Sequence, residues 1–180
     1  MKNFKNTLTE NIDHLYTSDE FNAAYKNLKK IILNIKKKKQ KVFIIGNGGS
    51  AAISSHVSVD LSKNLNMSAM CFSDADLITC FANDYGYENW YKEALIRHAS
   101  KGDAVILISS SGKSKNMLNA LKQCKKNKFI YFTLTGMSKN SSLKKSTEKN
   151  HNIYVNSNNY NVIEAIHLII LLNVIEDIME

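Results

Sequence analysis

The chain has 180 residues, about the size of one domain, and at 44% hydrophobic and 22% charged it has the composition of a packed globular protein rather than a disordered one. No apolar run reaches the ~18 residues of a membrane span, since residues 165–175 are interrupted by His167 and Asn173, and the N-terminal MKNFKNTLTENIDH lacks the apolar core of a secretory signal. Three cysteines, Cys71, Cys80 and Cys124, are too few for a disulfide framework or a four-thiolate zinc site, so a cytoplasmic protein is expected.

The net charge of +8 invites an anionic partner. Its makeup argues otherwise. Of 24 basic residues only Arg97 is arginine, whereas base and phosphate recognition leans on the bidentate guanidinium. There are 22 asparagines and no proline, where about 5% proline is usual. The lysines therefore read as a coding bias toward A and T on a solvated surface, not as a nucleic-acid footprint.

Two amphipathic helices come first. Thr17 followed by Glu20 fits a capping box, and beyond it Phe21, Ala24, Tyr25, Leu28, Ile31, Ile32 and Ile35 recur at helical spacing. Lys36, Lys37, Lys38 and Lys39 complement the dipole at that helix's C-terminal end. Val42-Phe43-Ile44-Ile45 is then a continuous apolar run ending in Gly46-Asn47-Gly48-Gly49-Ser50, with a helical stretch to about Leu65. Similar runs at 69–72, 104–108, 129–134 and 153–155, most of them separated by helix-like segments, predict strands buried on both faces of a parallel sheet in an α/β fold. A long helix over about 158–179 ends the chain. No repeat, proline-rich linker or low-complexity tract suggests a boundary, so residues 1–180 are expected to form a single domain.

In an open α/β sheet, ligands bind beyond the carboxyl ends of the strands, where helix N-termini offer unpaired N–H groups. Two loops have chemistry to match. Gly46-Asn47-Gly48-Gly49-Ser50 lets the backbone approach an anion, and Ser50 can cap the helix or bond the ligand. Ser109-Ser110-Ser111-Gly112-Lys113-Ser114 follows the 104–108 strand with four hydroxyls and a glycine. Either alone also reads as an ordinary strand-to-helix turn; two in one short chain favour anion binding. Gly46-x-Gly48-x-x-Ala51 meets the dinucleotide pattern weakly, with Asp74 a passable ribose partner. Gly112-Lys113-Ser114 fails as a P-loop because Leu107 stands where a glycine is required. A sugar phosphate fits the two loops better than a nucleotide.

His56 and Asp60 stand at i and i+4, and Glu164 and His167 at i and i+3, each pair on one helical face. Such pairs can hold a divalent metal or place a base beside a reacting carbon, or can simply be satisfied histidines with solvated acids. Tyr85, Tyr87, Trp90 and Tyr91 form an aromatic cluster that reads as packing or subunit contact.

At this point the sequence resembles the sugar isomerase (SIS) domain family, and within it the phosphoheptose isomerases, over nearly the whole chain. The motifs that carry the resemblance are Gly46-Asn47-Gly48-Gly49-Ser50-Ala51-Ala52 with His56, Phe81-Ala82-Asn83-Asp84-Tyr85-Gly86-Tyr87-Glu88, Ser109-Ser110-Ser111-Gly112-Lys113-Ser114, and Leu134-Thr135-Gly136. It implies a three-layer, flavodoxin-like α/β fold with a five-stranded parallel sheet, N-terminal helices and a long C-terminal helix. It also implies a homotetramer with active sites between subunits. The implied reaction converts sedoheptulose 7-phosphate to D-glycero-D-manno-heptose 7-phosphate through an enediolate, in heptose biosynthesis for lipopolysaccharide or capsule, with a divalent metal, zinc, at the site.

Carried over residue by residue, Asn47, Gly48, Gly49, Ser50, Asn83, Asp84, Ser109, Ser110, Ser111 and Ser114 match substrate-binding positions, Ser110 replacing the usual threonine. His56 matches a metal-ligand histidine. Asp60 falls where the family has a glutamate that is base and metal ligand, Glu164 where it has glutamine, and Leu172 where it has a histidine that is acid and metal ligand. The resemblance thus leaves Asp60 and Glu164 as catalytic candidates and His56, Asp60 and Glu164 as the metal set. Two readings follow: the isomerase, and a non-catalytic homologue that binds a protein partner, of the replication-initiator-associating type, or senses a sugar phosphate.

Overall fold

The computed structural model describes residues 3–180. In chain order the elements are α1 (Phe4–Tyr16), α2 (Asp19–Lys38), β1 (Lys41–Gly46), α3 (Gly49–Leu65), β2 (Ser68–Cys71), α4 (Ala75–Tyr85), α5 (Trp90–His98), β3 (Ala104–Ser109), α6 (Lys115–Asn127), β4 (Ile130–Thr135), α7 (Ser142–Lys145), β5 (Asn152–Tyr154) and α8 (Tyr160–Met179). The five strands form one sheet in the order β2-β1-β3-β4-β5, and every neighbouring pair is parallel. The five apolar runs thus become five strands, each within a residue or two of its expected bounds.

Strand periodicity sorts the core into two halves. Val42, Ile44, Ile106 and Phe132 face one way and join α2, α3 and α8, through residues such as Leu28, Ile32, Leu61 and Ile166. Phe43, Ile45, Val105 and Leu107 face the other way, onto Trp90, Leu95, Ala120 and Leu121 of α5 and α6. This alternation is what makes three layers of five short strands, each fully buried aliphatic contributing roughly 1.5–3 kcal/mol. The exception is β2, at the sheet edge, where Met70 is 39% exposed. It has a strand on only one side, so the burial on both faces expected for 69–72 is not realised there.

Helix ends follow local chemistry. Lys39 closes α2 in the left-handed region, with lysines in the last turn. The start of α2 corrects the capping box: Ser18, not Thr17, is the N-cap and accepts from the Phe21 N–H at 3.4 Å. Thr17 instead ends α1, and the Glu20 carboxylate pairs with Lys144 at 3.1 Å. Across the N-terminal ends of the strands, the buried Asp103 carboxylate accepts the Lys41 and Ser100 N–H groups, both at 2.9 Å. No helix among the described residues is long and apolar enough to cross a membrane.

Candidate functional site

β1 and β3 are adjacent in the sheet, yet α3, which follows β1, packs on one face and α6, which follows β3, on the other. The N-termini of two helices therefore open into a single crevice, the topological switch point where open α/β sheets bind ligands. Asn47, Ser50, Ser109, Ser110, Ser111, Ser114, Tyr160 and Glu164 line a cavity of about 140 Å³ there. The two loops read as anion sites from sequence are thus two walls of one pocket.

Each wall is tightly held. After β1, the Tyr91 hydroxyl donates to the Gly46 carbonyl and accepts the Gly46 N–H at 3.2 Å, and burial raises the Tyr91 phenol well above its ordinary value. After β3, the Gly112 N–H reaches the Ser109 carbonyl at 3.1 Å and its hydroxyl at 3.2 Å, while Gly136 donates to the Ser110 carbonyl at 2.9 Å. Gly112 has φ +60°, and a Cβ on it would strike the Ser141 hydroxyl, so a side chain there would deform the serine loop.

The two helix N-termini differ in what they carry. Neither N-cap, Gly48 of α3 or Ser114 of α6, makes a side-chain capping bond. At α3, however, the Glu164 carboxylate lies so close that a Cβ on Gly49 would fall inside it. An internal anion thus covers that positive helix end. α6 has no acid in its first turn, and the neighbouring Ser110 hydroxyl is buried without a hydrogen-bond partner among the described residues. A buried hydroxyl left unsatisfied costs about 1–3 kcal/mol, and a phosphate oxygen would satisfy it.

Not every expected residue joins this pocket. Asn83 and Asp84 are exposed at the end of α4, where Asn83 donates to Asp84 at 3.0 Å. No residue of α4 is buried, although it carries Leu77, Ile78 and Phe81. His56 and Asp60 do pair, at 3.2 Å, but on a partly exposed stretch of α3, and Asp60 stands about 16 Å along the helix axis from Gly49 at 1.5 Å per residue. Among the described residues no three His, Cys, Asp or Glu side chains gather to hold a metal ion. Within one chain His56, Asp60 and Glu164 do not converge: two of them share a helical face, and the third lies at the far end of α3. Within one chain these donors do not fit a resident zinc. Leu172, half-buried on α8, adds no donor.

The sequence reading missed Tyr160 on the pocket rim and Asn116, buried in the first turn of α6. Neither belongs to a motif, and Asn116 is not at the N-cap where an asparagine announces itself. Tyr91, read as packing, does stack on Trp90 at 3.6 Å, but its hydroxyl serves the first loop.

The sequence profile of the SIS domain family matches residues 3–136. The chain belongs to that family. Among curated SIS relatives, it is 35% identical over 119 residues to phosphoheptose isomerase 2 of Campylobacter jejuni, covering 63% of this chain and 59% of that protein. To phosphoheptose isomerase 1 of the same organism it is 31% identical over 141 residues, covering 75% and 74%. The matched region thus spans under two thirds of the first relative's length. The phosphoheptose isomerase GmhA from Neisseria gonorrhoeae superposes with a TM-score of 0.86 at 19% identity, over 96% of this chain and 93% of that one, which establishes the SIS fold as a whole.

Proposed function

We propose that this SIS domain, a single domain over residues 1–180, is an aldose–ketose isomerase acting on a seven-carbon sugar phosphate, sedoheptulose 7-phosphate, in the cytoplasm. The observation that carries the reading is the shared crevice: two helix N-termini, one covered by Glu164 and one open beside the serine loop. The curated relatives named phosphoheptose isomerase support the substrate class.

Ketose-to-aldose conversion moves a proton from C1 to C2 and a hydroxyl proton from O1 to O2 through an enediolate. In this chain Ser109, Ser110, Ser111 and Ser114 would bind the phosphate at the α6 N-terminus, the dipole and hydroxyls offsetting its charge. Asn47, Gly48, Gly49 and Ser50 would hold the sugar against the opposite wall. Glu164 is the carboxylate at the pocket and the candidate to carry the C1 proton. No step is assigned to a metal. Asp60 would act only across a subunit boundary, in the homotetramer proposed here. The exposed position of Asn83 and Asp84 at the end of α4, away from this chain's own pocket, supports such an assembly, which would carry them to a partner's pocket.

The test is turnover of sedoheptulose 7-phosphate, followed by NMR of the aldose, for wild type, Glu164→Gln and Asp60→Asn. Loss of a general base costs about 10²–10⁴-fold. A loss of that size in Glu164→Gln alone supports the assignment, and one in Asp60→Asn alone moves the base to the subunit boundary. No turnover by folded wild type sinks the enzyme and leaves a second reading, a sugar-phosphate sensor or protein-binding homologue. The separation of His56 and Asp60 from Glu164 and the apolar Leu172 favour that alternative.

A further inference from the structure

The two walls of the crevice are joined by one side-chain pair. Asn47 Nδ2 donates to Asn116 Oδ1 at 3.0 Å, and Asn116 Nδ2 donates back to Asn47 Oδ1 at 2.9 Å. The orientation of the pair is not arbitrary. The Met117 backbone N–H, which can only donate, reaches Asn116 Oδ1 at 2.9 Å and so fixes which end of the Asn116 amide is oxygen. Asn116 must then present its NH₂ to Asn47 Oδ1, and Asn47 must return one of its own N–H groups. The second Asn47 Nδ2 hydrogen has no protein partner among the described residues, while Asn47 lines the pocket. Tyr87 adds a long hydroxyl contact to Asn47 Oδ1, at 3.5 Å. Asn116 itself is only 2% exposed and does not line the pocket.

We propose that Asn116 is a positioning residue: rooted in the first turn of α6, it couples the serine loop to the glycine loop and holds Asn47 with one amide hydrogen free for the ligand. It acts through Asn47 rather than on the substrate. The identity of that ligand rests on the sugar-phosphate reading; the coupling of the loops does not.

The discriminating variant is Asn116→Ala, which removes both bonds to Asn47 without placing a new charge beside the anion site. In protein that remains folded at the assay temperature, calorimetric affinity for sedoheptulose 7-phosphate is expected to fall about tenfold, a typical loss for one buried hydrogen bond. Asn47→Ala should lose a similar factor, and Asn47→Ala with Asn116→Ala should be no weaker than the worse single variant, because both remove one interaction. Wild-type affinity in Asn116→Ala, or losses that multiply, would overturn the proposal. A second measurement holds even where a variant fails to fold or wild type does not bind the sugar. In ¹⁵N-labelled wild type without ligand, the Asn47 and Asn116 side-chain amide protons should show a mutual nuclear Overhauser effect and slowed solvent exchange. Solvent-averaged signals from the two amides overturn the pairing. Absence of wild-type binding, with the pairing intact, sinks the sugar-phosphate reading and leaves the coupling standing.

Discussion

His167 offers a test of the buried architecture that does not depend on any ligand. It lies on α8 with no solvent exposure. Nε2 donates to the Thr135 carbonyl at 3.3 Å, while Nδ1 has no partner among the described residues. Burial pushes its pKa down from 6.5 to about 4, the bond to Thr135 opposing only in part. The folded state therefore resists the proton that the unfolded chain accepts, so the contribution is complete above about pH 6.5 and is lost as the pH falls toward 4. Integrated between those values, acidification from pH 7.5 to 5.0 costs about 2 kcal/mol from this group alone, approaching about 3 kcal/mol below pH 4. The comparison variant is His167→Leu. It removes the proton site, and the Thr135 carbonyl stays satisfied because it also accepts the Val155 N–H at 2.8 Å. Urea unfolding at fixed protein concentration should show the wild-type midpoint moving by about 1 M more than the variant's over this range, for a slope near 2 kcal/mol/M. Parallel pH dependences would refute the buried neutral histidine.

Two further substitutions probe opposite ends of the strands. Asp103→Ala removes both acceptors that tie Lys41 and Ser100; losing two hydrogen bonds to a buried carboxylate should cost about 3 kcal/mol and lower the melting temperature by about 10 °C, with Asp103→Asn falling between, and a loss under about 1 kcal/mol would show that water replaces the carboxylate. Gly49→Ala puts a methyl where the Glu164 carboxylate sits: because a flexible side-chain end can move and alanine suits a helix, stability should change by no more than about 1 kcal/mol. Turnover should nonetheless fall toward that of Glu164→Gln, and an unaltered rate would remove Glu164 from the site.

What was legible in the sequence is what lies on one element. The apolar runs marked all five strands, and the i, i+4 spacing of His56 and Asp60 became a contact of 3.2 Å because the helix alone dictates it. What was not legible depends on which elements meet. Glu20 has the spacing of a capping-box glutamate, but Lys144, from a distant helix, wins its carboxylate. His56, Asp60 and Glu164 look like a ligand set when aligned with a family, yet nothing local says that Glu164 meets the first residue of α3 and not its third turn. Asn116 carries no local signal, since its role exists only in the encounter with Asn47.

Strand order supplies the missing information. Because β1 and β3 are neighbours and their following helices depart to opposite faces, neither helix can cover the N-terminus of the other, and both positive ends are left facing one space. Two such ends with no anion would be an electrostatic cost to the free protein, and α8 removes half of it by laying Glu164 on α3. The remaining positive end, beside four serines and an unpartnered Ser110 hydroxyl, is then the one place in the crevice where a dianion gains without meeting the glutamate at the same helix end. On the proposed function, that asymmetry would orient a phosphorylated sugar with its phosphate toward α6 and its carbon chain toward α3 and the carboxylate. Against the glutamine that the resemblance to phosphoheptose isomerases implies at position 164, glutamate adds a negative charge at the α3 end, and on the proposed function it would put a proton acceptor beside the sugar.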